Sequence, residues 1–193
     1  LSMPRDDISK YLIHWTKGES YDEAFKVLLN IVYDECLNGG LGYIRGGKPC
    51  VCFTEAPENK FHLIEGKYKP FGIRVSKSWL FSQSGRPVVY QSQAEYKNLP
   101  DHLKWRHVSY DPNSNPPIDF TWEREWRIQT EELHLPVGEI VIILPNQSWV
   151  ERIENEHLNR ECHRIAGDVV AYGDWAGMDG PRPFHFICSV LDV

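Results

Sequence analysis

Short apolar segments separated by turns run through most of this sequence, and they constrain its fold more than any single motif. Runs rich in β-branched and aromatic residues predict strands at 11–16, 50–54, 71–75, 86–91, 121–128, 139–144, 169–172 and 184–190. Helical spacing is confined to the segment after residue 20, part of 94–107, and 147–158. Because strands and helices do not alternate strictly, the pattern predicts an α+β fold with a few helices.

The clearest helix begins at a capping box. Ser20 precedes Glu23 by three residues, so each side chain can accept a hydrogen bond from the other residue's backbone N–H. Apolar residues then follow at helical spacing: Phe25, Leu28, Leu29 and Val32. The sequence 38–40, Asn-Gly-Gly, is typical of a helix C-terminus, so we expect the helix to end there.

Length and composition indicate an ordinary globular chain. Its 193 residues fit one domain, which we place at 3–193, since Leu1 and Ser2 before Met3 resemble a cloning remnant. Five cysteines without framework spacing favour a reducing compartment. No apolar run approaches a membrane span and no secretory segment follows the N-terminus, so we expect a cytoplasmic protein without a membrane partner.

The charge balance narrows the possible partners. A formal net charge of −6 argues against a general nucleic-acid-binding protein, which would show a basic face. It leaves open a nucleic-acid substrate that is bound at a local basic patch.

Three weaker motifs do not indicate a site. The glycines of 40–46 follow a helix and precede a strand, which is the reverse of the dinucleotide-binding context. Cys50 and Cys52 lie in one predicted strand, and no second Cys/His pair with zinc-finger spacing accompanies them. Cys162 and His163 are adjacent and isolated, and we therefore expect no metal.

A Glu-x-Glu segment carries the strongest chemical signal. If 121–128 is a strand, Glu123, Glu125 and Arg127 share one face, while Trp122 and Trp126 anchor the other face in the core. Two carboxylates on a rigid element suit a reaction that develops positive charge. The alternative is a solvated, salt-bridged strand face.

Two further segments can line a cleft with these carboxylates. One is His14-Trp15-Thr16 at the end of the first strand, and the other is Phe53-Thr54 at the end of the buried strand. Taken alone, His14, Trp15 and Phe53 are equally compatible with packing in the core.

The order of these pieces resembles the ADP-ribosyltransferase superfamily, in particular the DarT-type toxins and the AbiGi family of abortive phage-infection proteins. The resemblance spans about residues 11–145 and rests on these segments: His14-Trp15-Thr16, Leu37 to Leu41, Cys52 to Pro57, Phe71-Gly72-Ile73 with Lys77, Pro87 to Tyr90, and Glu123 to Arg127. It implies two small mixed β-sheets with NAD⁺ in the cleft between them and a few peripheral helices.

The resemblance also implies roles for individual residues. His14 would contact the adenosine-side ribose of NAD⁺, Thr16 would support the adjoining turn, and Trp15 would form a wall of the NAD⁺ site. Phe53 and Thr54 would line the nicotinamide pocket.

The acidic residues and an aromatic residue complete the implied site. Glu125 would bind the 2′-OH of the nicotinamide ribose, and Glu123 would orient the acceptor. Phe61, Phe71 and Tyr90 are the candidates for stacking on nicotinamide.

One departure from the DarT pattern concerns the acceptor. Residues 55–60 contain no arginine, which argues against a DNA base as acceptor, and Arg45 and Arg74 are the possible substitutes for the missing residue. The implied activity is transfer of ADP-ribose from NAD⁺ to a nucleic acid or a protein, as in a toxin or phage-defence effector, with an antitoxin as a possible partner. The alternatives are an NAD⁺ glycohydrolase, a non-catalytic module that binds a nucleotide or a phage protein, and an unrelated α+β domain.

Overall fold

The computed structural model describes residues 9–55, 58–172 and 179–193. Within them the strands are β1 (Tyr11–Trp15), β2 (Cys36–Asn38), β3 (Cys50–Thr54), β4 (Gly72–Ser76), β5 (Arg86–Pro87), β6 (Val89–Gln91), β7 (His107–Ser109), β8 (Glu125–Gln129), β9 (Glu132–His134), β10 (Val141–Leu144) and β11 (Ile187–Val190). The α-helices are α1 (Tyr21–Asp34), α2 (Lys77–Ser82), α3 (Gln93–Tyr96) and α4 (Gln147–Tyr172). Short 3-10 helices cover Arg45–Gly47, Glu58–Leu63, Asp101–Arg106 and Thr121–Glu123. The cloning-remnant interpretation of Leu1 and Ser2 concerns residues outside the described ranges.

A seven-stranded sheet forms the centre of the described fold, in the order β11-β10-β4-β1-β3-β8-β5. Its neighbouring strands are antiparallel except β10 and β11, which run parallel. Two smaller ribbons pair β2 with β9 and β6 with β7. The mostly antiparallel sheet with a few helices confirms the predicted α+β class.

The central sheet is joined weakly in its middle. β1 pairs with β4 along all five of its residues, and β3 pairs with β8 along all five of its own. Within the described chain, β1 and β3 pair only at Ile13 and Thr54. The sheet therefore consists of two well-paired halves that meet at one residue pair.

Apolar clusters cover both faces of the sheet. The larger cluster packs Leu12, Phe53, Ile73 and Trp126 against the buried face of α1. A smaller cluster on the opposite face contains Ile13, Trp15, Phe61, Ile64 and Ile143. This division follows from the alternation of side chains along each strand.

Helix α1 begins as predicted but ends earlier. Ser20 Oγ accepts a hydrogen bond from the Glu23 N–H at 3.2 Å, while a Glu23 carboxylate oxygen accepts from the Glu19 N–H at 2.8 Å instead of from Ser20. The helix ends at Asp34, and Glu35 adopts a left-handed conformation with φ 50°. The prediction of a helix end at 38–40 was wrong because residues Cys36–Asn38 pair with β9 as a strand. Gly39 is required there, since a Cβ would lie 2.0 Å from the Thr130 carbonyl oxygen.

The helix near the C-terminus is longer than predicted. Helix α4 continues to Tyr172, so the predicted helix at 147–158 was too short and the predicted strand at 169–172 was wrong. Two consecutive valines are too few to end a nucleated helix, because extending a helix costs far less than starting one. Within the described residues, no helix combines the length and apolar character needed to cross a membrane.

Two tryptophans flanking the Glu-x-Glu segment provide a matched test of burial. Trp126 is 9% exposed in the larger cluster, and its Nε1–H donates to Glu55 at 2.8 Å. Trp122 is 43% exposed, so the prediction that it anchors the core was wrong. We expect Trp126→Ala to lower the free energy of unfolding by about 3–5 kcal/mol and Trp122→Ala by less than about 0.5 kcal/mol. Denaturant unfolding measures both, and equal losses would contradict the structure.

Candidate functional site

The Glu-x-Glu segment is not one continuous strand. Residues Thr121–Glu123 form a 3-10 turn, Arg124 has a left-handed conformation with φ 46°, and β8 begins at Glu125. The prediction that strand alternation places Glu123 and Glu125 on one face was therefore wrong, because a left-handed residue between them breaks the alternation.

The negative charges of both carboxylates nevertheless affect the pKa values of the same two tyrosines. Burial, together with the negative charges of Glu125 and Glu123, raises the pKa of Tyr90 to about 12. Burial and the same two carboxylates also raise the pKa of Tyr68. Both phenols thus remain protonated hydrogen-bond donors beside the acidic pair.

An arginine holds the Glu125 carboxylate in a fixed orientation. Arg127 lies two residues further along β8 on the same face, and its Nε and Nη2 donate to the two Glu125 oxygens at 2.7 and 3.0 Å. Arg127 is 5% exposed, and its Nη1 donates to the carbonyl oxygens of Trp105 and His107 at 2.8 and 3.1 Å. The backbone N–H of Glu125 donates to Tyr90 Oη at 3.1 Å. Glu125 is therefore fixed from both its side chain and its backbone.

Glu123 lies in a different environment. It is 4% exposed, forms an ion pair with Lys67, and accepts a hydrogen bond from the Tyr68 hydroxyl at 3.3 Å. Sequence reasoning missed Lys67 and Tyr68. They lie more than 50 residues from Glu123 in a turn without regular structure, where no spacing rule applies. The signal that could have found them is the requirement that a buried carboxylate have a partner.

Phe53 and Thr54, at the end of β3, were both predicted to line the nicotinamide pocket, and one of them lies next to Glu125. Thr54 is directly opposite Glu125 in the β3–β8 ladder, so the two side chains share a face. Phe53 points to the other face, where it is 2% exposed in the larger apolar cluster. Burial, with Glu125 next in effect, raises the pKa of Cys52, so this thiol remains protonated and unreactive at neutral pH.

His14 lies where the two halves of the sheet meet, but not on the face of Glu125. Its Nδ1 lies 2.9 Å from the Cys52 carbonyl oxygen, and its ring contacts Phe53 edge-on at 5.8 Å between centroids. Because a carbonyl only accepts, Nδ1 carries the proton and Nε2 is left as an acceptor. The neighbouring pair Ile13 and Thr54 shares the face of Glu125, so alternation places His14 on the opposite one.

Trp15 and Thr16, which were also predicted to contribute to the NAD⁺ site, are buried. Trp15 and Phe61 are 5% and 3% exposed, and their rings pack together with 4.8 Å between centroids. Thr16 Oγ1 donates to the Phe71 carbonyl oxygen at 3.2 Å, so it supports the chain at the end of β1. Phe61 and Phe71 present no open ring face, whereas Tyr90 is half-buried and contacts Glu125. Of the three candidate stacking aromatics, Tyr90 alone contacts Glu125.

Comparison of the chain with protein-family models, curated proteins and solved structures gives no significant match. The function must therefore be inferred from the geometry around Glu125.

Two other features lie apart from these residues. An open depression between α1 and α4 is lined by Tyr33, Glu156, Asn159, Arg160 and His163, none of which is a predicted site residue. The potential ligand atoms of Cys36, Glu132 and His134 lie within 4.8 Å of one another on the β2–β9 ribbon. Glu132 and His134 are largely exposed, and exposed groups of this kind are common without an ion.

The buried histidines predict a loss of stability in mild acid. Burial lowers the pKa of His14 and of His107 below the usual value of 6.5. As the pH falls through 6.5, the unfolded chain binds protons at these rings before the folded chain does, so the free energy of unfolding decreases. We expect the melting temperature to fall between pH 7.5 and pH 5.5, and less steeply in His14→Gln. A melting temperature that is constant over this range would contradict the burial of both rings.

Proposed function

We propose that this protein is an NAD⁺-dependent ADP-ribosyltransferase that modifies a macromolecule, as a toxin or phage-defence effector does. The observation that carries the proposal is the fixed Glu125 carboxylate at the start of β8, next to Thr54 and within electrostatic reach of the same phenols as Glu123. The order of motifs that resembles the ADP-ribosyltransferase superfamily adds independent support.

The chemistry explains why a fixed carboxylate matters. Breaking the bond between ribose and nicotinamide develops positive charge on the ribose, and a preorganised carboxylate stabilises that charge more than it stabilises the ground state. Each Glu125 oxygen accepts one hydrogen bond from Arg127. Each oxygen retains a further lone pair that can accept from a ribose hydroxyl.

The junction of the two half-sheets supports a dinucleotide ligand. β1 and β3 pair only at Ile13 and Thr54 in the described structure, and His14 lies beside this junction with Nε2 as an acceptor. NAD⁺ has two riboses, and a molecule placed on the Glu125 face of this junction brings one of them towards Glu125, whereas His14 lies on the opposite face of the sheet. The buried Trp15 Nε1–H has no acceptor among the described residues, and a polar ligand group would satisfy it.

Nicotinamide release tests the proposal. The protein is incubated with NAD⁺ alone and then with RNA, single-stranded DNA or a protein extract, and free nicotinamide and labelled macromolecules are measured. We expect release together with transfer of label to a macromolecule. Release without transfer would identify an NAD⁺ glycohydrolase. Absence of both release and a thermal shift with NAD⁺ would overturn the proposal and leave a binding module or an unrelated domain.

A further inference from the structure

Three aromatic rings and a carboxylate surround the ammonium group of Lys67. Its Nζ lies 5.2 Å from the centroid of the Tyr68 ring and 5.7 Å from the centroids of Phe120 and Trp122. The same ammonium forms the ion pair with Glu123. We call Tyr68, Phe120, Trp122 and Glu123 the cation cage. All three rings lie within the distance at which an aromatic face attracts a cation.

The cation cage is built from a fixed turn. The Asp119 carboxylate accepts hydrogen bonds from the N–H and hydroxyl of Thr121 at 2.9 and 2.6 Å, and this fixes the turn that carries Phe120 and Trp122. Glu123 is buried at the base of the cage and is also bound by the Tyr68 hydroxyl. Phe120 and Trp122 are 42% and 43% exposed, so the cage is open to solvent on one side.

Lys67 enters the cage from an exposed turn. Its side chain is 40% exposed and belongs to a turn outside regular secondary structure. Lys17 lies at the edge of the cage, with Nζ 5.6 Å from the centroid of the Tyr68 ring. A site that holds an alkyl ammonium through a carboxylate and three rings has the chemistry to hold another alkyl cation of similar shape.

We propose that the cation cage binds a lysine or arginine side chain of a partner protein after Lys67 has moved away. Arg124 alone separates Glu123, which pairs with the cation in the cage, from Glu125 at the start of β8, so a cation in the cage lies near the carboxylate that the proposed function assigns to NAD⁺. In that context, which rests on the proposed function, the cage selects a protein as acceptor. The net charge of −6 also favours a cationic partner over a nucleic acid.

Binding of a small cation tests the cage without any requirement for catalysis. Agmatine and the amide of Nα-acetyl-lysine serve as cationic probes, and the amide of Nα-acetyl-norleucine is the neutral control. The readout is the indole N–H resonance of Trp122 in NMR spectra, assigned by its loss in Trp122→Phe. We expect Lys67→Met to bind agmatine about tenfold more tightly than the wild-type protein, because the internal competitor is gone. Lys26→Met, which removes an exposed lysine of α1, should bind like the wild type.

Agmatine binding should be lost when groups of the cation cage are removed. In the Lys67→Met background, we expect Glu123→Gln or the exposed Phe120→Ala to abolish agmatine binding, with near-UV circular dichroism reporting the fold. Equal agmatine affinities of wild type and Lys67→Met, or a Trp122 shift produced by single-stranded DNA but not by agmatine, would overturn the inference. Agmatine binding without nicotinamide release would support the cation cage and overturn the proposed function. Nicotinamide release without agmatine binding would support the proposed function and overturn the cation cage.

Discussion

Glu125→Gln is expected to lower the rate of nicotinamide release from NAD⁺ by about 100- to 1000-fold, the usual loss when one preorganised electrostatic group is removed from a reacting centre. The amide keeps the size of the side chain but removes the charge that stabilises the developing positive ribose. The loss should appear in kcat, because the interaction strengthens in the transition state.

Folding controls are essential for this measurement. Glu125→Gln also removes the partner of the buried Arg127, so rates must be compared at temperatures well below the melting point of the variant. Glu125→Asp retains the charge but shortens the side chain by one methylene group. We expect this variant to have a higher free energy of unfolding than Glu125→Gln but still to release nicotinamide more slowly than the wild-type protein. Glu151→Gln, on the exposed side of α4, is the matched control and should leave the rate unchanged. A folded Glu125→Gln with near-normal release would exclude Glu125 as the catalytic residue.

Arg127→Met is expected to lower the free energy of unfolding by about 3–5 kcal/mol, since removing one member of a buried ion pair leaves the other charge uncompensated. The same change removes the donor to the carbonyl oxygens of Trp105 and His107. Urea unfolding measures the loss. Arg45→Met, which removes an exposed arginine bound to Gln93, should cost less than about 1 kcal/mol.

A double-mutant cycle separates the ion pair from the rest of the Arg127 contacts. Combining Arg127→Met with Glu125→Gln should cost less than the sum of the two single losses by about 1–3 kcal/mol. Strict additivity would show that the two side chains do not interact in solution.

Much of the fold could be predicted from local sequence signals. The strands near residues 11, 50 and 72 and the start of α1 depend on apolar periodicity and a serine cap, which act over a few residues. The early end of α1 could not be predicted, because it depends on pairing of Cys36–Asn38 with a strand about a hundred residues away. The C-terminal end of α1 was therefore determined by strand pairing in the folded protein and not by the local Asn-Gly-Gly sequence.

The candidate site was only partly predictable for a similar reason. Glu125 and Thr54 lie together because strand pairing sets their register, which the sequence order allowed us to anticipate. The left-handed Arg124 changed the direction of Glu123, and a single backbone conformation of this kind leaves little trace in composition. The positions of Lys67 and Tyr68 depend on a turn whose path no periodicity determines.

The single residue pair between β1 and β3 has a consequence for how the molecule opens. Backbone hydrogen bonds hold each half of the sheet along whole strands but barely cross the middle. Backbone amides along this seam between the two halves should therefore exchange with solvent at lower free energy than those within either half, while the apolar cluster shared by both halves keeps them packed on α1. A ligand that spans this seam would protect the amides on both sides from exchange with solvent without changing a single strand.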